Sequence, residues 1–292
     1  MKRPGLLSLR EMPAEDLVSE FEVYATEQFC IARQFAAPDV VVLPACNEEK
    51  DIPAALFSLS GALRPVVPIV IENGSGADDK TYEYAERMGA IVLQCEPAKM
   101  RATQLGLQAS RELFPKQPII NFGDADNLYP KRAVAAVSDA ARAASKNNDD
   151  DGALVFGMGV YDHGESLAVD IMRTGRLFRK AVERKLKGES PMPYGFNYAL
   201  HTDKDGRVVE AIGSLDPLLF VREESEICIA ALSAGLVISQ TINPNAVVYT
   251  RSDLIRNLAE WRRFKGAPMG TKVQYYERNY PEVDFSPNSN GR

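Results

Sequence analysis

Short apolar runs alternate with longer segments of mixed character through the first half of the chain. Val40–Leu43, Ile69–Ile71, Ile91–Leu93 and Ile119–Phe122 have the length and composition of strands, while Asp51–Leu63, Asp78–Met88 and Met100–Leu113 carry apolar residues at helical spacing. Strands alternating with helices predict an α/β fold: a Rossmann-like, mostly parallel central sheet with helices on both faces. Ahead of the first run, Leu17, Phe21, Val23, Tyr24, Phe29 and Ile31 recur at mixed three- and four-residue spacing, with acids early and Arg33 late. This predicts a helix from about Ala14 to Ala36, ended by Pro38 and packed on the main body, so residues 1–37 are expected to form a helical extension. Pro130 opens another helix to about Ala144, Lys146–Asp151 forms a solvated loop, and Ala153–Val160 has the pattern of a strand. Further helices are expected over Ser166–Lys187, Glu223–Ala234 and Asp253–Phe264, and a loose tail over 281–292.

Composition narrows the function classes. The chain has 292 residues, 45% hydrophobic and 25% charged, which is the profile of a folded globular protein with a sizeable core. With 34 Lys+Arg against 40 Asp+Glu the net charge is −6, which argues against a nucleic-acid partner gripped by bulk charge. Any anionic ligand must be attracted locally. Cys30, Cys46, Cys95 and Cys228 are far apart in sequence and form no metal-spaced pair, as expected of reduced thiols in the cytoplasm. Met1-Lys2-Arg3-Pro4 is followed by only a brief apolar stretch before Arg10 and Glu11, so no signal sequence is read. No run approaches the ~20 apolar residues of a membrane span. The Ser166–Lys187 segment, with Arg173, Arg176, Arg179, Lys180, Arg184, Lys185 and Lys187, reads first as a solvated face and second as a surface for an anionic acceptor or peripheral membrane contact. Homo-oligomerisation is left open.

In open parallel sheets ligands bind beyond the carboxyl ends of the strands, so chemistry is sought in the loops there. The fourth apolar run delivers Asp124-Ala125-Asp126, two carboxylates spaced to address one side of an extended segment. Hard divalent cations such as Mg²⁺ and Mn²⁺ take this kind of oxygen donor together with substrate phosphates. The first run leads into Pro44-Ala45-Cys46-Asn47-Glu48-Glu49, a turn before an acidic helix start, and the second ends in Glu72-Asn73-Gly74-Ser75, where glycine lets backbone amides approach a ligand. Each segment alone also fits an ordinary strand-to-helix turn.

In order, these segments resemble the family 2 glycosyltransferases, which have the GT-A fold and transfer a sugar from a nucleoside diphosphate. Pro44–Glu49 is similar to the family's Pro-x-Tyr-Asn-Glu opening, Ile71–Ser75 to its Val-Asp-Asp-Gly-Ser, and Asp124–Asp126 to its metal-binding Asp-x-Asp. Gly195-Phe196-Asn197-Tyr198-Ala199 resembles its Gly-x-Asn-x-Ala acceptor-side turn, and Arg222–Ile227 its Thr-Glu-Asp helix start. The resemblance covers roughly residues 38–266. It implies a donor site from Pro44, Ala45, Asn47, Glu48, Asn73, Asp124 and Ala125, with Lys99 and Arg101 toward the diphosphate, and Asp124 and Asp126 on Mg²⁺ or Mn²⁺. It further implies Glu224 as the base that deprotonates the acceptor, and an acceptor side formed by Gly195, Asn197, Glu223, Trp261 and Arg263. Residues 38–160 would then be the nucleotide-sugar half and 161–280 the acceptor half.

The expected activity is metal-dependent, inverting transfer from a nucleotide sugar, UDP-linked first, to a saccharide, lipid-linked or other hydroxyl acceptor. The chain departs from the pattern at Asn73, where an amide replaces the second Asp, and at Glu224, one methylene longer than Asp. The histidines His163 and His201 both precede Glu224, so neither matches the downstream histidine that some members add to the metal shell. The alternatives are a catalytically silent GT-A domain that binds nucleotide or protein partners, and a nucleotidyltransferase. The latter is disfavoured because no Gly-rich basic loop follows the first strand.

Overall fold

The computed structural model describes residues 5–76, 78–148, 152–161, 197–203, 205–218 and 223–250, with isolated positions at 175, 179, 182 and 183. The expected helices over Ser166–Lys187 and Asp253–Phe264, the residues Gly195, Trp261 and Arg263, and the 281–292 tail lie outside the described residues, apart from those isolated positions.

A 3-10 turn at Leu7–Glu11 precedes helix α1 (Ala14–Arg33). Strand β1 (Asp39–Ala45), helix α2 (Ile52–Ser60), β2 (Val66–Glu72), α3 (Thr81–Arg87), β3 (Ile91–Gln94), α4 (Lys99–Leu113) and β4 (Ile119–Gly123) follow, in the alternation predicted. Beyond them come β5 (Asn127–Leu128), α5 (Ala133–Lys146), β6 (Ala153–Phe156), β7 (Met158–Tyr161), β8 (Asn197–His201), α6 (Arg207–Gly213), α7 (Glu223–Ser233), β9 (Val237–Gln240) and β10 (Val247–Thr250).

Seven strands form one sheet in the order β3-β2-β1-β4-β8-β6-β9. All are parallel except β8, which runs against both neighbours. Every residue of β2 is buried, as expected of a parallel strand covered on both faces. Val41, Leu43 and Ala45 of β1 join the side chains of α1, α2 and α3 in one core layer, while Val40 and Val42 join α4, α6 and α7 in another. Helices therefore cover both faces. α1 is fixed to α2 by Phe21 stacked on Phe57, ring centroids 4.1 Å apart. On the other face α4 lies so close to the sheet that a Cβ at Gly106 would sit 2.2 Å from Val42 Cγ1.

Two expectations are corrected. The single strand over Ala153–Val160 divides at Gly157, β6 staying in the large sheet and β7 joining β10 and β5 in a small second one. The carbonyl of Ala246 comes within 2.8 Å of where a Cβ at Gly157 would lie, so a side chain at the division would clash. The turn expected across 195–199 gives way at Asn197 to strand β8, inserted between β4 and β6 with Asn197 opposite Gly123. The second segment of the chain thus supplies a central strand to the sheet begun by the first. Among the described residues no helix is long and apolar enough to cross a membrane.

β1 has β2 on one side and β4 on the other, so the chain's crossovers diverge there. This opens a crevice beyond the carboxyl ends of β1 and β4, the topological switch point at which such sheets bind ligands.

Candidate active site

One wall of the crevice is built by the loops after β1 and β2. Asn47 adopts φ 58°, the left-handed region that Asn tolerates better than most residues. That geometry lets its Oδ1 accept from Gly76 N (2.9 Å) while its own N–H donates to Ser75 Oγ (2.9 Å). The Glu72 carboxylate fastens the second loop further: Oε1 accepts from Gly74 N (2.9 Å) and Ser75 N (2.5 Å), and Oε2 from Gln94 Nε2 (3.1 Å). Gly74, at φ +93°, lies so close to Pro97 that a Cβ would fall 2.3 Å from its Cγ. Asn73 N–H donates to Ala45 O at 2.9 Å. The Asn73 side chain is buried, and its Oδ1 has no hydrogen-bond partner among the described residues, an unusual state for a buried acceptor at the end of a strand. Glu48 is partly buried and its N–H is held by Thr81 Oγ1 at 2.8 Å. Pro44 is partly buried, and Ala45 sends its methyl into the core.

The opposite wall is charged. β4 ends at Gly123 and hands over to Asp124, which forms an ion pair with Lys99 Nζ at 3.0 Å. Lys99 opens α4, and the same ammonium lies 3.5 Å from Glu224 Oε1 in the first turn of α7. Three residues singled out from sequence, 25 and 100 positions from Asp124, therefore meet at one point. The Asp124 carbonyl is held by Tyr129 Oη (3.1 Å). Ala125 packs into the core. Asp126 is partly exposed but crowded by protein, and desolvation, followed by the neighbouring Asp124 and Asp51 carboxylates, pushes its carboxyl up to about 8 despite Arg10 and Lys99.

The remaining predicted residues lie elsewhere or at the margin. Arg101 pairs with Glu96 on the surface side of α4 instead of with Lys99's partners. Asn197 is buried at the start of β8, beside the end of β4, with its Nδ2 unpartnered among the described residues. Glu223 opens α7, but its side chain lies outside the described set. Two contributors were not legible in sequence. Arg10 donates to Asp51 Oδ1 (3.2 Å), to the Asp126 carbonyl (2.9 Å) and to the Tyr249 carbonyl (3.1 Å), and Asp51 turns to this guanidinium instead of capping α2. The only local signal was an arginine in a short turn ahead of a helix.

Among the described residues no three His, Cys, Asp or Glu side chains converge as a ready-made metal cluster. Asp124 and Asp126 nevertheless fit a hard divalent ion, which is commonly bound by one or two carboxylates and completes its shell from water and substrate phosphates. Burial is the first cause of the raised Asp126 carboxyl, and the negative potential of Asp124 and Asp51 adds to it.

No family model and no curated protein matches the chain. Among solved structures it is similar to S. aureus TarS 1–349 in complex with UDP-GlcNAc, at 17% identity and TM-score 0.48 over 74% of this chain. The match spans 58% of that TarS chain, less than two thirds of it. It is also similar to glucosyl-3-phosphoglycerate synthase from Mycobacterium tuberculosis with Mn²⁺, UDP-glucose and phosphoglyceric acid, at 20% identity and TM-score 0.48, over 90% of this chain and 82% of that one.

Proposed function

We propose that the chain is a glycosyltransferase that moves a sugar from a nucleoside-diphosphate donor, UDP-linked first, to a hydroxyl acceptor, with inversion at the anomeric carbon. The observation that carries this reading is the meeting of Asp124, Lys99 and Glu224 at the switch point of the sheet. A donor-side carboxylate, a cation suited to a diphosphate and a general base stand within one crevice.

In this reading the loops after β1 and β2 receive the nucleoside. The unpartnered Oδ1 of Asn73 offers an acceptor to a base N–H, and the lacing of Asn47, Glu72 and Ser75 keeps the pocket in shape without ligand. Asp124 and Asp126 would hold Mg²⁺ or Mn²⁺, which when bound neutralises the negative charge of the diphosphate. Lys99 is placed to give up its ion pair with Asp124 and contact phosphate oxygens, stabilising charge that grows as the diphosphate leaves.

Glu224 takes the proton of the acceptor hydroxyl as that oxygen attacks the anomeric carbon and the bond to the diphosphate breaks. The Lys99 ammonium stands 3.5 Å from its Oε1. The acceptor would enter from the α7 side, beside the start of β8.

The test is a panel of nucleotide sugars with Mn²⁺ or Mg²⁺, read by diphosphate release and by NMR of the product's anomeric configuration. The expected result is turnover that requires metal, inverts configuration and falls about 10²–10⁴-fold in Glu224→Gln. Retained configuration would remove the base role from Glu224. Metal-independent turnover would remove the role given to Asp126. Donor binding without turnover across acceptors would favour the silent domain.

A further inference from the structure

The proposed metal loop is held from outside the sheet by the segment that precedes α1. Arg10 lies in the Leu7–Glu11 turn, its side chain only 9% exposed, next to the fully buried Leu9. Its guanidinium reaches three acceptors in three distant parts of the chain: Asp51 at the start of α2, the carbonyl of Asp126, and the carbonyl of Tyr249 in β10. A planar fork of fixed donors suits such a task, because several acceptors are met at once by a group whose internal geometry is already set. Taking a guanidinium out of water is costly, so its retention here calls for a role that a well-packed apolar side chain cannot perform. What it grips is informative: the carbonyl of Asp126 itself, in the residue read above as a metal ligand.

We propose that Arg10 is a positioning residue for the carboxylate loop. It holds the backbone at Asp126 so that Asp124 and Asp126 present together, and the N-terminal turn is thereby part of the active-site architecture instead of an appendage. This inference rests on the metal-site reading above for its consequence, though not for its geometry. Two physical effects oppose each other, which makes the idea sharp. Removing a positive charge beside carboxylates should by itself strengthen cation binding, whereas releasing the loop should weaken it. Outer-shell partners of metal ligands typically change affinity by about 10–100-fold when lost.

The experiment compares the full chain with Arg10→Met and Arg10→Lys by hydrogen exchange of peptides covering residues 123–129 and by titration with Mn²⁺, free ion being followed by its EPR signal. The expected result in Arg10→Met is a loss of protection confined to the 123–129 and 248–250 peptides and the start of α2 at Asp51, with the β2 loop unchanged. Mn²⁺ affinity should fall about tenfold or more. Arg10→Lys, which keeps the charge but not the fork, should recover only part of either.

Unchanged protection in the 123–129 peptide, or loss spread evenly over the sheet, would overturn the proposal, as would tighter Mn²⁺ binding. Should Arg10→Met fail to fold, the Lys variant decides by the same two readings. Should the unmodified chain bind no Mn²⁺, the metal reading falls, while the exchange data still decide whether Arg10 positions the loop.

Discussion

The two walls of the crevice solve opposite problems. The loops after β1 and β2 are laced together: Glu72 accepts three hydrogen bonds, Asn47 and Ser75 join one loop to the other, and Gly74 is seated against Pro97. The loop after β4 is unbalanced in charge: Asp124 and Asp126 gather with Asp51, from the start of α2, and are countered by Arg10 and Lys99. A laced wall keeps its shape when empty. A charged wall is strained when empty and gains most from a cation. Shape and charge are thus divided between the two sides of the switch point, and mutations on each side should fail in different ways.

The largest contrast is expected from Asp126→Asn. Loss of the carboxylate that would hold the metal, and with it the positive charge that would offset the leaving diphosphate, should cost about 10²–10³ in turnover. In the metal-free protein the same change should be stabilising. The folded-state carboxyl titrates at about 8 instead of 3.8, so the folded chain holds a proton that the unfolded chain has released. The stability from this group is therefore fully present below about pH 4 and is lost as pH rises toward 8. Asparagine removes that loss, and thermal melts at pH 8 to 9 without metal should rise by ~2–4 °C for each kcal/mol relieved. A lower melting temperature in the variant would show that the charged wall is not strained.

The same carboxyl sets a pH dependence for the unmodified chain. Below about 8 each bound cation must displace the Asp126 proton, so apparent Mn²⁺ affinity should weaken by about tenfold per pH unit down toward pH 6. Calorimetric titration at three pH values checks this, and a flat profile would separate metal binding from Asp126. Across the crevice, Glu72→Ala should show the reverse signature. Its two backbone donors and Gln94 lose their acceptor, so stability should fall by about 1–3 kcal/mol in chemical denaturation, with Mn²⁺ affinity unchanged. A smaller effect, and a control outside both walls, is Asp203→Ala. Asp203 accepts from Arg207 N and Val208 N at the start of α6, and these bonds with the Arg207 guanidinium outweigh desolvation and hold its carboxyl below the usual range. The loss should be about 1 kcal/mol at neutral pH, shrinking as pH falls through the lowered value.

The walls also differ in how far sequence foretold them. β1 to β4 were legible because strands buried on both faces appear as unbroken apolar runs, and the loop residues Asn47, Asn73, Asp124 and Asp126 follow directly from where those runs stop. β8 was not. Asn197–His201 mixes polar and apolar residues, and its place between β4 and β6 depends on partners more than 40 positions away. Lys99 and Glu224 were legible as residue types at helix starts, but their meeting at Asp124 is a product of packing α4 and α7 on one face of the sheet. Arg10 had no readable signature, since it donates to the backbone carbonyls of Asp126 and Tyr249, and carbonyls look the same in every sequence.

The measurement that bears most directly on the charged wall is calorimetric titration of a UDP-sugar into the unmodified chain and into Asp126→Asn, each with and without Mn²⁺. The account predicts donor binding that needs Mn²⁺ in the unmodified chain and is lost in the variant under both conditions. Equally tight binding without metal, unaffected by Asp126→Asn, would contradict it.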